Sequence, residues 1–71
     1  MLDAKYRIEK LRERKEREIF LATIEMKEKV ANNPRATSKA YHEYDLRVQQ
    51  IVKKYNALIA EIEADEALCA E

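Results

Sequence analysis

Apolar residues recur every three or four positions through the second half of the chain, between residues 41 and 62. This spacing places them on one side of an α-helix and is typical of the contact line of a coiled coil. Two further apolar residues, Val52 and Ile59, widen the line. The predicted line, called the second seam below, consists of Tyr41, Tyr44, Val48, Ile51, Tyr55, Leu58 and Ile62.

The first half of the chain carries a similar line with a different rhythm. Ile8, Ile19 and Val30 repeat every eleven residues, which follows a straight helix more closely than a seven-residue repeat does. We therefore expect a weak supercoil. Lys15 interrupts the line. We expect its aliphatic stem to cover Ile51 while the ammonium group stays in water. The alternative is that Lys15 acts as a polar core residue and sets the register between the two helices. This first seam consists of Ala4, Ile8, Leu11, Lys15, Ile19, Ala22, Met26 and Val30.

Asn32, Asn33 and Pro34 form the strongest break in the helical pattern. Asn32 is suited to end a helix in the left-handed region, and Asn33 is suited to cap the next one. Pro34 fits the first helical position because its missing N–H has no intrahelical partner there. Thr37 and Ser38 offer a later start for the second helix. The predicted elements are a helix at about 3–31, a corner at 32–33, a helix at about 34–68 and a frayed acidic tail at 69–71.

Folding the chain back at this corner lays the two seams against each other. Facing residue numbers then add up to about 66, so that small Ala22 meets large Tyr44 and Ile19 meets Val48. Small residues opposite large ones let the two layers interdigitate. The predicted fold class is all-α: an antiparallel, coiled-coil-like two-helix hairpin that forms one domain over residues 1–71.

The charges balance overall but are unevenly distributed. The chain has 14 Lys and Arg residues and 14 Asp and Glu residues, whereas general polyanion binders are usually strongly basic. Residues 61–71 contain five acids and no base. In the hairpin this tail lies beside Lys5, Arg7 and Lys10, where opposite charges neutralise each other. Nucleic acid is therefore not the expected partner.

Composition excludes several classes of protein. There is no glycine, and glycine is what phosphate-binding loops and tight hairpins need. The single cysteine, Cys69, cannot form an internal disulfide, and a small apolar filler is its expected role rather than a cross-link. The first residues lack a signal peptide's apolar stretch, and no apolar run is long enough for a membrane span. We expect a cytoplasmic protein that does not enter a membrane.

A two-helix hairpin of this size has more apolar surface than it can bury. Phe20, Leu21 and Ile24 lie opposite or beside the first seam, so the helix around them is apolar nearly all round. We expect these three residues, with Val52 and Ile59 at the widened edge of the second seam, to form a partner interface. The expected partner is a second copy, giving a four-helix bundle, or a larger helical protein. The function predicted is a non-enzymatic interaction module, such as a dimerising adaptor or a small co-chaperone.

A basic ridge formed by Arg7, Lys10, Arg14 and Arg17 leads into the apolar face of the first helix. Acidic residues are interleaved with the ridge, and a solvated, salt-bridged surface is the expected result. The alternative function is a small regulatory protein that binds nucleic acid or a phosphorylated signalling protein through this ridge.

Candidate chemistry is sparse. His42 has only Glu43 and Asp45 nearby as possible metal ligands or proton-transfer partners. No pocket is expected on a two-helix surface. The sequence therefore predicts no catalysis, no metal site, no cofactor and no small-molecule substrate. The segment 41–45 resembles, at Glu43 and Asp45, the Ser-Gln-Glu-Leu-Asp motif of small sporulation phosphatases, with Tyr41 and His42 in place of Ser and Gln. That resemblance implies hydrolysis of an aspartyl phosphate. Among the predicted functions, this activity is the least favoured. In size and plan the chain also resembles the helical-hairpin co-chaperones of type III secretion.

Overall fold

The structure, a computed structural model, describes residues 3–69 and forms a helical hairpin. Helix α1 spans Ala4–Asn32, a short 3-10 turn spans Pro34–Ala36, and helix α2 spans Thr37–Cys69. The two helices run antiparallel and pack against each other in a flat rod of 57 × 17 × 8 Å. The predicted all-α, antiparallel helical hairpin is therefore confirmed over the described residues. Residues 70 and 71 of the predicted frayed tail, and the side chain of Cys69, lie outside what the structure describes.

Asp3 fixes the start of α1. Its backbone is extended, its side-chain Oδ1 accepts a hydrogen bond from the N–H of Lys5 at 3.4 Å, and its carbonyl accepts one from Arg7 at 3.1 Å. A capping carboxylate satisfies one of the N–H groups that a helix leaves without a partner. The first helix thus begins one residue after the predicted start.

The end of α1 differs from the prediction in its backbone geometry. The expected left-handed conformation at Asn32 is wrong, because no residue in the described part of the chain has a positive φ. Asn32 is the last helical residue, and Asn33 ends the helix at φ −146° while its N–H donates to Lys29 O at 2.9 Å. The helix closes with one ordinary backbone bond, so no left-handed residue is required.

The corner is longer than predicted because Pro34 begins a 3-10 turn rather than α2. The N–H of Ala36 donates to Asn33 O at 3.0 Å, which closes this tighter turn, while the Asn33 side chain makes no capping bond. The Thr37 hydroxyl donates to Pro34 O, and α2 begins at Thr37. Proline fits the first position of either helix type, since it lacks only an N–H that would be unpaired in both. The later start offered by Thr37 is the one that the structure adopts.

The first seam holds the position predicted for it. All eight of its members are buried or half-buried, and Ala22 and Met26 are the most enclosed. Lys15 is half-buried and lines a shallow surface pocket together with Asn56 and Ile59 of α2. The centre of the hairpin is a cluster of Ala22, Ile51 and Tyr55. Packed against this cluster are Leu11, Ile19 and Tyr44.

Two members of the second seam were predicted wrongly. Tyr41 is 52% exposed and its neighbour Ala40, at 5%, lies in the core instead. Likewise Leu58 is 39% exposed, whereas Ile59 is 8% exposed. The residues of α2 that face α1 repeat every eleven positions: Ala40, Ile51 and Ile62; Tyr44 and Tyr55; Val48 and Ile59.

The eleven-residue repeat explains both corrections. A straight helix drifts by about 20° per heptad relative to a strict seven-residue pattern, so a seam read in heptads leaves the contact face after a few turns. An eleven-residue repeat stays close to that face. Because α1 carries the same repeat, a weak supercoil is the expectation for both helices.

Three ion pairs cross the hairpin on one edge. They join Glu18 to Lys54 at 3.2 Å, Lys29 to Glu43 at 3.6 Å, and Glu25 to Arg47. On the other edge the hydroxyls of Thr23 and Tyr44 are hydrogen-bonded at 2.8 Å, which agrees with the predicted level of Tyr44 beside Ala22. Within residues 3–69, no ion pair joins the acidic end of α2 to the basic start of α1.

One of these pairs makes the hairpin sensitive to acid. The Tyr55 hydroxyl, as a hydrogen-bond donor, and then Lys54 lower the pKa of Glu18 below its ordinary value of 4.5. The folded chain therefore holds fewer protons than the unfolded chain in this range. The stability from this site is present above the ordinary pKa and is lost as the pH falls through the lowered one.

We expect Glu18→Gln to flatten the acid limb of the stability curve. The midpoint of thermal unfolding, followed by circular dichroism between neutral pH and the acid range, falls less in this variant than in the wild type. Glu9→Gln is the matched control, because Glu9 is exposed and makes no ion pair within residues 3–69. An identical pH profile for wild type and Glu18→Gln would contradict the assignment.

Candidate functional site

The outer face of α1 exposes three large apolar side chains. Phe20 is 63% exposed, Leu21 51% and Ile24 38%. They point outward because the first seam, at Ile19, Ala22 and Met26, turns the opposite side of the helix toward α2. These three residues, called the outer patch below, are accessible as predicted.

The two α2 residues of the predicted partner interface do not belong to this patch. Ile59 lies in the core of the hairpin, since it follows Val48 by one eleven-residue repeat. Val52 is half-buried at the edge of the helix pair. Ile59 is therefore not accessible to a partner in the hairpin, and the exposed members of the predicted interface are the three on α1.

The four residues of the basic ridge do not share one surface in the structure. Arg7, Lys10 and Arg14 border an open groove of about 570 Å³ between the start of α1 and the end of α2, while Arg17 does not contribute to it. The groove lies at the open end of the hairpin, away from the corner. Its other lining residues are Tyr6, Leu11, Leu58, Glu61 and Ile62.

Positive charge predominates around this groove. Lys10 pairs with Glu13 at 3.5 Å, and its ammonium lies 5.4 Å from the centre of the Tyr6 ring. Within residues 3–69, Arg7 and Arg14 have no carboxylate within 4 Å. Glu61 is the acid among the lining residues. The groove thus combines an apolar floor with two guanidinium groups whose charge has no direct partner in the described part.

Sequence reasoning missed this groove because its floor comes from both ends of the chain. Leu11 belongs to the first seam, and Leu58 was assigned to the second. The adjacent apolar residues Leu58 and Ile59 were the available signal, because only one of them can face the other helix fully. The other, Leu58, lines the groove.

The residues that could serve in catalysis or metal binding are not gathered into one site in the structure. His42, Glu43 and Asp45 are all exposed, and Glu43 is held in the ion pair with Lys29. Residues two apart on a helix do not face each other, so Glu43 and Asp45 point to different sides. In the part of the chain that the structure describes, no three His, Cys, Asp or Glu residues come together as metal ligands would.

Comparison with protein-family models, with curated proteins and with solved structures finds no match for this chain. Neither described helix contains an apolar stretch long enough to cross a bilayer. The candidate functional surfaces of the chain are therefore the outer patch and the groove.

Proposed function

We propose that this chain is a non-enzymatic module that works by helix–helix association, with the outer patch as the surface through which two copies pair. The observation that carries the proposal is the exposure of Phe20, Leu21 and Ile24 on one continuous face of α1. Exposed apolar patches on small proteins mark interaction sites more often than isolated apolar residues do. Two hairpins paired in this way form a four-helix bundle.

The thin core of the hairpin supports this proposal. Among residues 3–69 no large side chain is completely buried, and the central cluster contains one alanine and two larger residues. Chains of this size rarely draw more than ~3–5 kcal/mol from a single core. A second hairpin over the outer patch adds apolar burial that the isolated hairpin lacks.

The charges beside the outer patch favour an antiparallel pairing of the two α1 helices. Arg17 precedes the patch and Glu28 follows it on the same side of the helix, and neither makes an ion pair within residues 3–69. In an antiparallel pair related by a two-fold axis, Leu21 meets Ile24 of the second copy, and Arg17 meets Glu28 of the second copy. A parallel pair would place like charges together.

The absolute mass in solution tests this proposal. We expect light scattering behind size exclusion, across a dilution series, to give a dimer for the wild type and a monomer for Phe20→Ser/Ile24→Ser. Leu46→Ser is the control, because Leu46 is similarly exposed but lies on α2, outside the patch. The helical circular dichroism of all variants should be alike at matched concentration.

Charge reversal tests the orientation in the same assay. Arg17→Glu alone should weaken the dimer, and adding Glu28→Arg should restore it, since the antiparallel pair then has its charges exchanged. A wild type that stays monomeric at high concentration contradicts self-association. A large loss of helicity in Phe20→Ser/Ile24→Ser would instead place these residues in the intramolecular core.

A larger helical protein is the other occupant compatible with the outer patch, in which case the chain acts as an adaptor or small co-chaperone. A cytoplasmic location is part of the proposal, because a chain with one cysteine has no internal disulfide to stabilise it in an oxidising compartment.

The second candidate function is regulation through binding of nucleic acid or a phosphorylated signalling protein by the basic ridge. The observation in its favour is that Arg7, Arg14 and Arg17 make no ion pair within residues 3–69. Nucleic-acid binding would weaken steeply with salt. No shift in the anisotropy of a labelled DNA duplex, even at low salt, would eliminate that form.

A further inference from the structure

We propose that the groove at the open end of the hairpin is a docking site for an acidic amphipathic helix of another protein. This inference rests on the proposed function in one respect, that the chain works by helix–helix association. It concerns a different surface from the outer patch, so one chain has a place for a second copy and another for a partner.

The floor of the groove indicates an apolar ligand. Leu11, Leu58 and Ile62 line it from both helices, and Leu58 remains 39% exposed. Ile62 is itself buried between the helices, so the surface left open is that of Leu58 and of half-buried Leu11. A third helix laid along the groove would cover this surface with one apolar stripe, as amphipathic helices do in hydrophobic grooves. The open shape of the groove, bordered by both helices, suits a helix better than a compact small molecule.

The rim indicates the charge of that ligand. Arg7 and Arg14 are seven residues apart, which places them two turns apart on the same side of α1, with Lys10 between them. Carboxylates spaced at one or two helical turns on the partner can meet these cations in register. Glu61 is the opposing acid among the lining residues, so the rim is complementary to a partner with acids along one edge of its apolar stripe.

Two other occupants fit less well. A nucleic-acid backbone would leave the floor of Leu11, Leu58 and Ile62 uncovered, and its phosphates would meet Glu61. The acidic residues 61–66 of a second copy lie on several sides of the helix, not along one edge, so some of them would face Glu61 of the first copy. Like charges brought together in this way oppose association.

Binding of synthetic peptides to the full chain tests the inference. The probe is a fluorescein-labelled acidic peptide of three heptads, with Leu at two positions of each heptad, Glu along one edge of this apolar stripe, and Ala and Gln elsewhere. Its controls are a peptide of the same composition without the apolar stripe and a peptide with Lys in place of Glu. We expect a rise in anisotropy with the acidic amphipathic peptide and a much weaker one with either control.

Two pairs of charge reversals locate the site. Arg7→Glu/Arg14→Glu should weaken binding about tenfold or more, because attraction becomes repulsion at two positions. Lys27→Glu/Arg35→Glu changes the net charge equally at exposed residues outside the groove and should bind within about twofold of the wild type. Leu58→Gln should also weaken binding while circular dichroism stays unchanged, since Leu58 is part of the floor but not of the buried core.

Several outcomes would overturn the inference. Equal binding of all three peptides, or an equal loss with both pairs of reversals, would reduce the effect to nonspecific charge. Binding of a labelled DNA duplex that depends on Arg7 and Arg14, without binding of the acidic peptide, would assign the groove to nucleic acid. If Arg7→Glu/Arg14→Glu abolished the dimer, the groove would be the site of the second copy.

The inference and the proposed function fail separately. Loss of peptide binding with an intact, patch-dependent dimer removes the docking site alone. A monomeric wild type that still binds the acidic peptide through the groove removes self-association through the outer patch alone.

Discussion

Replacing Ile51 with alanine is expected to unfold a large fraction of the molecules at 25 °C. Ile51 lies at the centre of the hairpin, in one cluster with Ala22 and Tyr55. Truncation of a buried isoleucine to alanine costs about 2–5 kcal/mol, because apolar contacts are lost and a cavity remains. That loss is comparable with the ~3–5 kcal/mol that a single small core supplies.

Thermal and urea unfolding followed by circular dichroism measure this effect, with every variant at the same concentration because self-association would raise the apparent stability. The matched control is Leu46→Ala, since Leu46 is an exposed apolar residue on the same helix. It should change the free energy of unfolding by no more than about 0.5 kcal/mol. Equal destabilisation by the two substitutions would mean that the centre of the core lies elsewhere.

The fold was predictable because the first seam and the corner are clear in the sequence. Every member of the first seam is buried or half-buried, and the hairpin turns within a few residues of Asn33 and Pro34. The predicted pairing also places Tyr44 beside Ala22, and the hydroxyl bond from Tyr44 to Thr23 occurs at that level. Helical periodicity and a single proline are strong signals because each depends on local geometry.

The second seam was less predictable because two periodicities fit the same residues. Val48, Ile51 and Tyr55 satisfy both a seven-residue and an eleven-residue pattern, and the two patterns separate only toward the ends of α2. At one end Leu58 and Ile59 are both apolar, so composition cannot choose between them. At the other end Ala40 rather than Tyr41 faces α1, because a small residue suits the close approach of the helices near the corner.

The corner shows a similar limit. Pro34 fits the start of an α-helix and the start of a 3-10 turn equally well. The structure adopts the 3-10 turn, in which the Thr37 hydroxyl donates to the Pro34 carbonyl. Asn33 was expected to cap α2, but its side chain makes no such bond.

The candidate surfaces were predictable to different degrees. The outer patch follows from α1 alone, because any residue opposite the first seam must face outward. Ile59 was placed wrongly because its exposure depends on the rotation of α2. The groove depends on both ends of the chain, since Leu11 and Leu58 line it from different helices, and no local pattern predicts a surface of this kind.

Under these proposals the chain has two separate surfaces on one rigid rod. The outer patch lies along the middle of α1 and toward the corner, whereas the groove lies between the helices at the open end. A dimer formed through the outer patch would carry two grooves. Two weak docking events on one dimer gain from each other's proximity, which is how a small adaptor can hold a larger partner without an extensive interface.

Enlarging Ala22 tests the close approach on which this architecture depends. Ala22 is the most enclosed side chain in the core, at the level of Tyr44. A leucine there adds atoms where α1 and α2 are in contact, so the helices must separate or Tyr44 must move. Overpacking of this kind costs about 1–3 kcal/mol. We expect Ala22→Leu to lower the midpoint of unfolding by several degrees or more.

The control separates crowding from helix propensity. Ala57→Leu makes the same change at an exposed position of α2, and leucine is nearly as good a helix former as alanine, so the midpoint should hardly move. Adding Tyr44→Ala to Ala22→Leu should recover part of the loss, because the small residue then lies on the other helix and the layer can interdigitate again. A stabilising Ala22→Leu would contradict the close approach, since it would mean that space remains between the helices at this level.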